Sequence, residues 1–361
     1  MNPDELRVSM PSAVRGTAYL NTGASGPSPR PVRDAMEEAL DAHAEAHLDS
    51  PYMYESRVAS ETRDAVASFV GAPPERVALT SNTTNGINTV ADCFDPDGDD
   101  TVVTTALEHP AGVLPWQRLA ETRRTNVRTV PAATDGDGLD RDAYKDAVDG
   151  AALVCLSSVS WYGVSVPVAQ LVDVAHDTGA SVVVDAAQSV GVEDVDVTDW
   201  GAEYVAFPAH KWLLGSWGAG FLYVASDAPS DGQERVGYKS TVSPNDSPTL
   251  HDDARRFEVS TSSPSVLAGA RAGVETVRSV GLKTVEKRVS SLTDRLEDRL
   301  GDRHLTTGCG LVRFSDPTPE GTAERLKNEG VVIRSLPNGD LRASLHVFNT
   351  PEDVDRLAEA L

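Results

Sequence analysis

The chain has 361 residues, with 55 acidic side chains against 32 basic ones, a formal charge of −23 and an isoelectric point near 4.6. Phosphate-backbone binding needs clustered cations, so this balance excludes an electrostatic nucleic-acid binder. At 40% hydrophobic and 24% charged residues the composition is that of a folded protein, and roughly 150 residues per domain suggests about two domains.

Six of the basic residues are lysines (Lys145, Lys211, Lys239, Lys283, Lys287, Lys327) and the other 26 are arginines, while the acids are spread along the whole chain. An even acidic surface with scarce lysine is expected of a protein adapted to high salt, where screening removes the self-repulsion. The start, MNPDELRVSMPS, has no basic stretch followed by an apolar run, and no window approaches ~18 uninterrupted apolar residues. A cytoplasmic protein without membrane contact is the expectation. Cys93, Cys155 and Cys309 form no CxxC pair and have no histidine at metal-ligand spacing, which argues against a disulfide framework or a metal site.

In chain order, a helix is expected over 30–48. From Ala65 onward, short apolar runs at 76–80, 101–105, 152–157, 181–185, 204–207 and 220–224 are bounded by turn residues and read as buried strands. Helical patterns at 85–93, 116–124 and 168–178 lie between several of them. This alternation predicts an α/β, mostly parallel sheet covered by helices on both faces, with ligands at the carboxyl ends of its strands. A polar stretch over 232–249 reads as a loop, 265–300 carries long helical periodicity, and 310–361 reads as strand, helix (318–329), strand (331–334), strand (341–346) and helix (351–361). The expected organisation is an N-terminal segment (1–50) packing with the small domain, a large cofactor-binding domain (51–262), and a long helix with a small C-terminal α+β domain (263–361).

Chemistry concentrates in SVVVDAAQSVG and EYVAFPAHKWLLGSWGAGFLYV. One apolar strand ends in Asp185, with Gln188 three residues on, and another is followed by His210 and Lys211. Taken singly, Asp185 reads as a loop or capping carboxylate and Lys211 as a surface amine. Together, an acid and a poorly solvated lysine at neighbouring strand ends fit pyridoxal 5′-phosphate, the lysine forming a Schiff base and the carboxylate keeping the pyridine nitrogen protonated. The run SNTTNGIN opens a helix after the strand VALT, so its free N–H groups and the hydroxyls of Thr83 and Thr84 can cradle a phosphate. His109 follows the strand VVTTAL, where its imidazole can lie flat on the pyridine ring.

The ordered stretches TSNTTNGIN, EHPAGVLPWQ, VVVDAAQSVG, HKWLLGSWGAGFLYV, RFEVSTS and LRASLHVFNTPEDVDRL resemble the class V aminotransferase family, which includes cysteine desulfurases and carbon–sulfur lyases, over nearly the whole chain. The resemblance implies a fold type I pyridoxal-phosphate enzyme, normally a homodimer, that acts on a small α-amino acid through an external aldimine and α-proton abstraction. It further implies that Lys211 carries the cofactor, Asp185 partners the pyridinium, Gln188 donates to the phenolic oxygen and His109 supplies the stacking ring. His210 and Thr84, with Thr83 nearby, would contact phosphate, and Arg342 would hold the substrate carboxylate.

Three departures qualify this. Pro208 stands where many relatives have a hydroxyl residue, and SSVSWYGV, with Ser158, replaces a histidine-containing segment, so Trp161 or Tyr162 shapes that wall differently. The segment VVIRSLPNGDLRAS is short and lacks the nucleophilic cysteine of desulfurases, while Cys309 reads as a small buried residue. The expected activity is therefore an aminotransferase or a cysteine/cystine carbon–sulfur lyase. The alternatives are a desulfurase using another thiol, such as Cys309 or a partner's, and a non-catalytic member that keeps the fold.

Overall fold

A computed structural model describes residues 1–361 with the exception of 49, 97–99, 124, 134–137 and 231. Its centre is a seven-stranded sheet in the order Val77–Thr80, Gly220–Val224, Tyr204–Pro208, Ser181–Asp185, Leu153–Ser157, Thr101–Thr105, Asn126–Val130. All neighbouring pairs are parallel except the two made by Gly220–Val224, which runs antiparallel to both of its partners. The central strands read as unbroken apolar runs because both faces are covered: VVVD, YVAFP and GFLYV are buried at almost every position. One face packs with Val66, Phe69, Leu171, Val172 and Val277, the other with Ile87, Val90, Trp116 and Leu119.

The parallel register places residues of different strands side by side at the carboxyl edge. Ser157 lies beside Asp185, and Asp185 beside Ala206, two residues before the end of Tyr204–Pro208. That edge is where the loops carrying the polar residues emerge.

A second sheet of four strands, ordered His304–Gly308, Leu311–Ser315, Asp340–Ser344, Arg334–Ser335, is antiparallel and packs with Leu292, Leu296, Leu326 and Leu357. The chain start packs beside it: Ala18–Tyr19 pairs in parallel with Val331–Val332 as a separate two-stranded sheet. The helix Arg30–Ala46 instead packs chiefly on the helix Pro264–Val280, whose apolar face belongs to the main core.

Element boundaries differ from expectation at several places. The periodicity over 265–300 is two helices, Pro264–Val280 and Leu282–Leu300, broken at Gly281, whose φ of +87° is a left-handed backbone that an L side chain resists. The expected loop over 232–249 contains Thr241–Val242, which pairs with Thr249–Leu250 as a small hairpin. The edge strand Asn126–Val130 was not legible because its exposed side chains break the apolar run. The helix expected over 116–124 spans Leu114–Arg123, and Arg124 lies outside the described residues. No helix among the described residues is long and apolar enough to cross a membrane.

Candidate active site

A cavity of about 490 Å³ opens at the carboxyl edge of the large sheet, against the small one. It is lined by Thr83, Thr84, His109, Asp185, Gln188, His210, Lys211 and Arg342, so the eight residues singled out from sequence converge on one space.

The strand Tyr204–Pro208 delivers Lys211. After Pro208 the chain turns tightly, with the Gly215 N–H donating to the Ala209 carbonyl (2.9 Å) and the Leu214 N–H to that of Lys211 (3.0 Å). Leu214 is held at φ 56°, a left-handed position uncommon for leucine and stored strain three residues after Lys211. The N-terminal segment closes over this turn: the Gly26 N–H donates to the His210 carbonyl (2.7 Å). A Cβ on Gly26 would sit 2.0 Å from the Lys211 carbonyl oxygen, so only glycine permits the approach.

Electrostatics make Lys211 a usable base. Burial among cavity walls pushes its ammonium down from 10.5 to about 8; Asp185 opposes this, while Arg342 and Arg334 add to it. Asp185 is buried and accepts a hydrogen bond from the Ala187 N–H (2.9 Å). Burial raises its carboxyl above the ordinary range, partly offset by Lys211 and that N–H.

His109 is held with its proton on Nε2, because Nδ1 accepts from the Ala111 N–H (3.1 Å). Burial, with Lys211, Arg334 and Arg342 nearby, lowers it to about 4, so the ring is neutral at physiological pH. Trp161 packs edge-on against it, ring centroids 5.1 Å apart. Trp161, left open by sequence as one of two candidates for this wall, is the one that lines the cavity; Tyr162 does not. Ser158 is turned away, bonded to Ser189 (2.8 Å).

The helix Thr83–Cys93 starts at the cavity, capped by Asn82, whose side chain accepts from the Asn85 N–H (2.9 Å). Thr83 is buried with a hydroxyl that has no partner, whereas Thr84 is exposed at the helix start. His210 stacks on Trp217 (4.3 Å), its Nδ1 buried and unpaired, and is also lowered to about 4 by burial and by Lys211.

Arg342 is 1% exposed; its Nη1 donates to the Trp161 carbonyl (2.8 Å), while Nε and Nη2 have no partner. A buried guanidinium without a counter-charge is costly, which is why it is pushed down to about 9, and the unpaired edge is suited to a carboxylate.

Sequence reading missed two contributors with ionisable side chains that lie at or just behind the cavity wall. Arg334 lies directly opposite Arg342 across the hairpin and also lines the cavity. The turn residues Pro337, Asn338 and Gly339 signal a hairpin that pairs these arginines, so this contact was recoverable from the sequence. Glu108, adjacent to His109, is buried behind the cavity wall, accepting from Thr105 Oγ1 (2.7 Å), the Ser157 N–H (3.0 Å) and Ser157 Oγ (2.5 Å). Nothing in the local pattern distinguishes it from a surface glutamate.

The chemistry of the lining fits a phosphorylated pyridine aldehyde. The unpaired Thr83 hydroxyl, the unpaired ring nitrogen of His210 and a helix start suit the phosphate, Asp185 suits a ring nitrogen, and Lys211 suits an aldehyde carbon. Fold and site together define a fold type I pyridoxal-phosphate enzyme. The chain belongs to the class V aminotransferase family, whose profile, described as Aminotransferase class-V, matches residues 18–357, and its cofactor is pyridoxal 5′-phosphate.

A probable cysteine desulfurase of Methanothermobacter thermautotrophicus is 31% identical over 393 residues, covering 100% of this chain and 98% of that protein. The apo structure of a cysteine desulfurase from Thermococcus onnurineus superimposes with a TM-score of 0.90 at 29% identity, covering 99% of this chain and 97% of that one. C-DES, a cystine C–S lyase solved as a lysine-to-alanine mutant with glycine covalently linked to its pyridoxal phosphate, shares the fold with a TM-score of 0.91 at 24% identity over 98% of both chains.

Proposed function

We propose that this enzyme cleaves the carbon–sulfur bond of cysteine or cystine without passing the sulfur to a cysteine of its own chain. The observation that carries this reading is the absence of a thiol from the cavity lining among the described residues. The connection between Arg334–Ser335 and Asp340–Ser344 is a short turn, with the Leu336 N–H donating to the Asp340 carbonyl (2.8 Å), and holds no cysteine. Cys309 packs near Ser165 and Glu193, where burial first and then Glu193 hold its thiol well above the usual range. A protonated thiol is a poor acceptor of sulfur.

When bound, the cofactor draws electrons from bonds at the amino acid's α-carbon. The chain's part is to present that carbon. Arg342 binds the α-carboxylate through its unpaired edge. Lys211, with its lowered affinity for protons, takes the α-proton and holds it at Nζ. With the cofactor bound, Asp185 would keep its ring nitrogen protonated, and the neutral His109 imidazole would supply a flat face for the ring. Thr83, Thr84, His210 and the helix start hold phosphate. Arg334 offers a second cation beside the first, which favours a substrate with a second carboxylate, as cystine has. A homodimer belongs to the same reading: Leu48, Tyr52, Met53 and Trp217 are exposed apolar side chains, Trp217 lining the cavity itself.

A second reading, transamination, uses the same groups up to removal of the α-proton. Purified protein in concentrated KCl with cysteine, cystine and a panel of amino acids separates the two. Pyruvate with sulfide or persulfide, formed without an added 2-oxo acid, is the expected result. Amino transfer that requires an oxo acid, or persulfide accumulating on a cysteine of the chain, overturns the lyase reading.

A further inference from the structure

Gln188 is buried and held at both ends of its amide. Its Oε1 accepts from the indole Nε1–H of Trp212 (2.8 Å), and its Nε2 donates to the Gly23 carbonyl (3.0 Å). An indole nitrogen only donates and a carbonyl only accepts, so two independent partners fix the same orientation of an amide that could otherwise flip. The amide nitrogen has two N–H bonds, and Gly23 uses one. The other is left on a residue that lines the cavity.

Trp212 is itself fixed. It is fully buried, directly after Lys211, and its carbonyl accepts from His346 Nε2 (2.9 Å). The carbonyl dictates the tautomer: His346 carries its proton on Nε2, and its Nδ1 is unpaired and buried. The two rings stack, centroids 5.9 Å apart, and Phe348 also stacks on His346 (5.4 Å). His346 follows the strand Asp340–Ser344 that carries Arg342, so one buried chain of contacts joins the carboxylate-binding strand, the lysine turn and Gln188.

We propose that Trp212 and His346 are positioning residues that lock the Gln188 amide with its N–H toward the cofactor, so that it donates to the ring oxygen beside the aldehyde carbon. This rests on the cofactor placement argued above. The titratable and charged groups lining the cavity, His109, Asp185, His210, Lys211, Arg334 and Arg342, are untouched by the substitutions that test it.

The test compares Trp212→Phe, which keeps a ring and deletes the donor, with Gln188→Ala and the double variant, and adds His346→Gln, which retains a side-chain N–H. In apoprotein labelled with ¹⁵N, the Trp212 indole resonance is expected to be slowly exchanging in the wild type and to become fast-exchanging in Gln188→Ala. In protein loaded with pyridoxal 5′-phosphate, Trp212→Phe is expected to displace the pH midpoint of the bound cofactor's visible absorbance. It should also lower kcat roughly tenfold with little change in KM, the effect of one misdirected hydrogen bond. In the Gln188→Ala background the same change should add almost nothing, and His346→Gln should retain most of the wild-type spectrum.

A displacement of the absorbance midpoint by Trp212→Phe that is equally large with and without Gln188 overturns the proposal, leaving Trp212 a packing residue. So does an indole resonance indifferent to Gln188, a measurement that needs no folded Trp212 variant. Wild-type protein that binds no pyridoxal phosphate overturns the cofactor reading itself, and is recognised by a missing visible band whatever the variants do.

Discussion

Glu108 offers a quantitative test of how the site is built. Its carboxyl is buried behind the cavity wall, and burial first, with Asp185 adding, raises it from 4.5 to about 7 despite hydrogen bonds from Ser157 and Thr105. At ~1.4 kcal/mol per pH unit this shift is worth about 3 kcal/mol of folding free energy. The sign follows from the direction: the fold prefers the protonated acid, so the contribution is fully present below pH ~4.5 and is lost as pH rises through about 7. Glu108→Gln removes the titration while keeping an acceptor for Thr105 and the Ser157 N–H and offering an N–H to Ser157 Oγ. With an unfolding entropy scaled to 361 residues, about 3 kcal/mol corresponds to a Tm difference of about 4 °C. Melting of the two apoproteins at fixed salt from pH 5 to pH 8 should show the variant gaining on the wild type by about that amount. Parallel curves across the range would refute the claim that an ionisable, poorly solvated carboxyl underlies the site.

Arg342→Met replaces an unpaired buried charge with an apolar chain, so the apoprotein should melt higher by roughly 1 kcal/mol or more while KM for the amino acid rises about a hundredfold; a lower Tm with unchanged KM contradicts the assignment. Cys309→Ser should leave turnover of cysteine or cystine within about twofold, measured as pyruvate formed, and a near-complete loss would restore this thiol as a sulfur acceptor. Asp185→Ala should still bind pyridoxal phosphate but slow exchange of the substrate α-proton into D₂O by several orders of magnitude; undiminished exchange removes Asp185 from its role.

The parts legible from sequence share a physical cause. Strands buried on both faces declare themselves as apolar runs, and a parallel sheet sends ligand-binding residues to their carboxyl ends. Asp185, Gln188, His109 and Lys211 were therefore found by position as well as by type. Arg342 came only through the resemblance, because a charged residue in a strand signals exposure when read locally, yet it is almost completely buried here. Trp212 and His346 were overlooked because an aromatic in an apolar stretch reads as core. Their polar roles emerge only when the lysine turn and the small domain are brought together. Asn126–Val130 and the break at Gly281 were missed where an exposed edge and a single backbone dihedral outweigh periodicity.

The central claim is that Lys211 anchors pyridoxal phosphate in this cavity. Protein reconstituted with the cofactor, reduced with borohydride and digested should yield one pyridoxyl-modified peptide, containing Lys211, with loading that rises as pH climbs through about 8, where the amine loses its proton. Modification spread over Lys239, Lys283 and the other lysines, or full labelling of a Lys211→Ala variant, would contradict it.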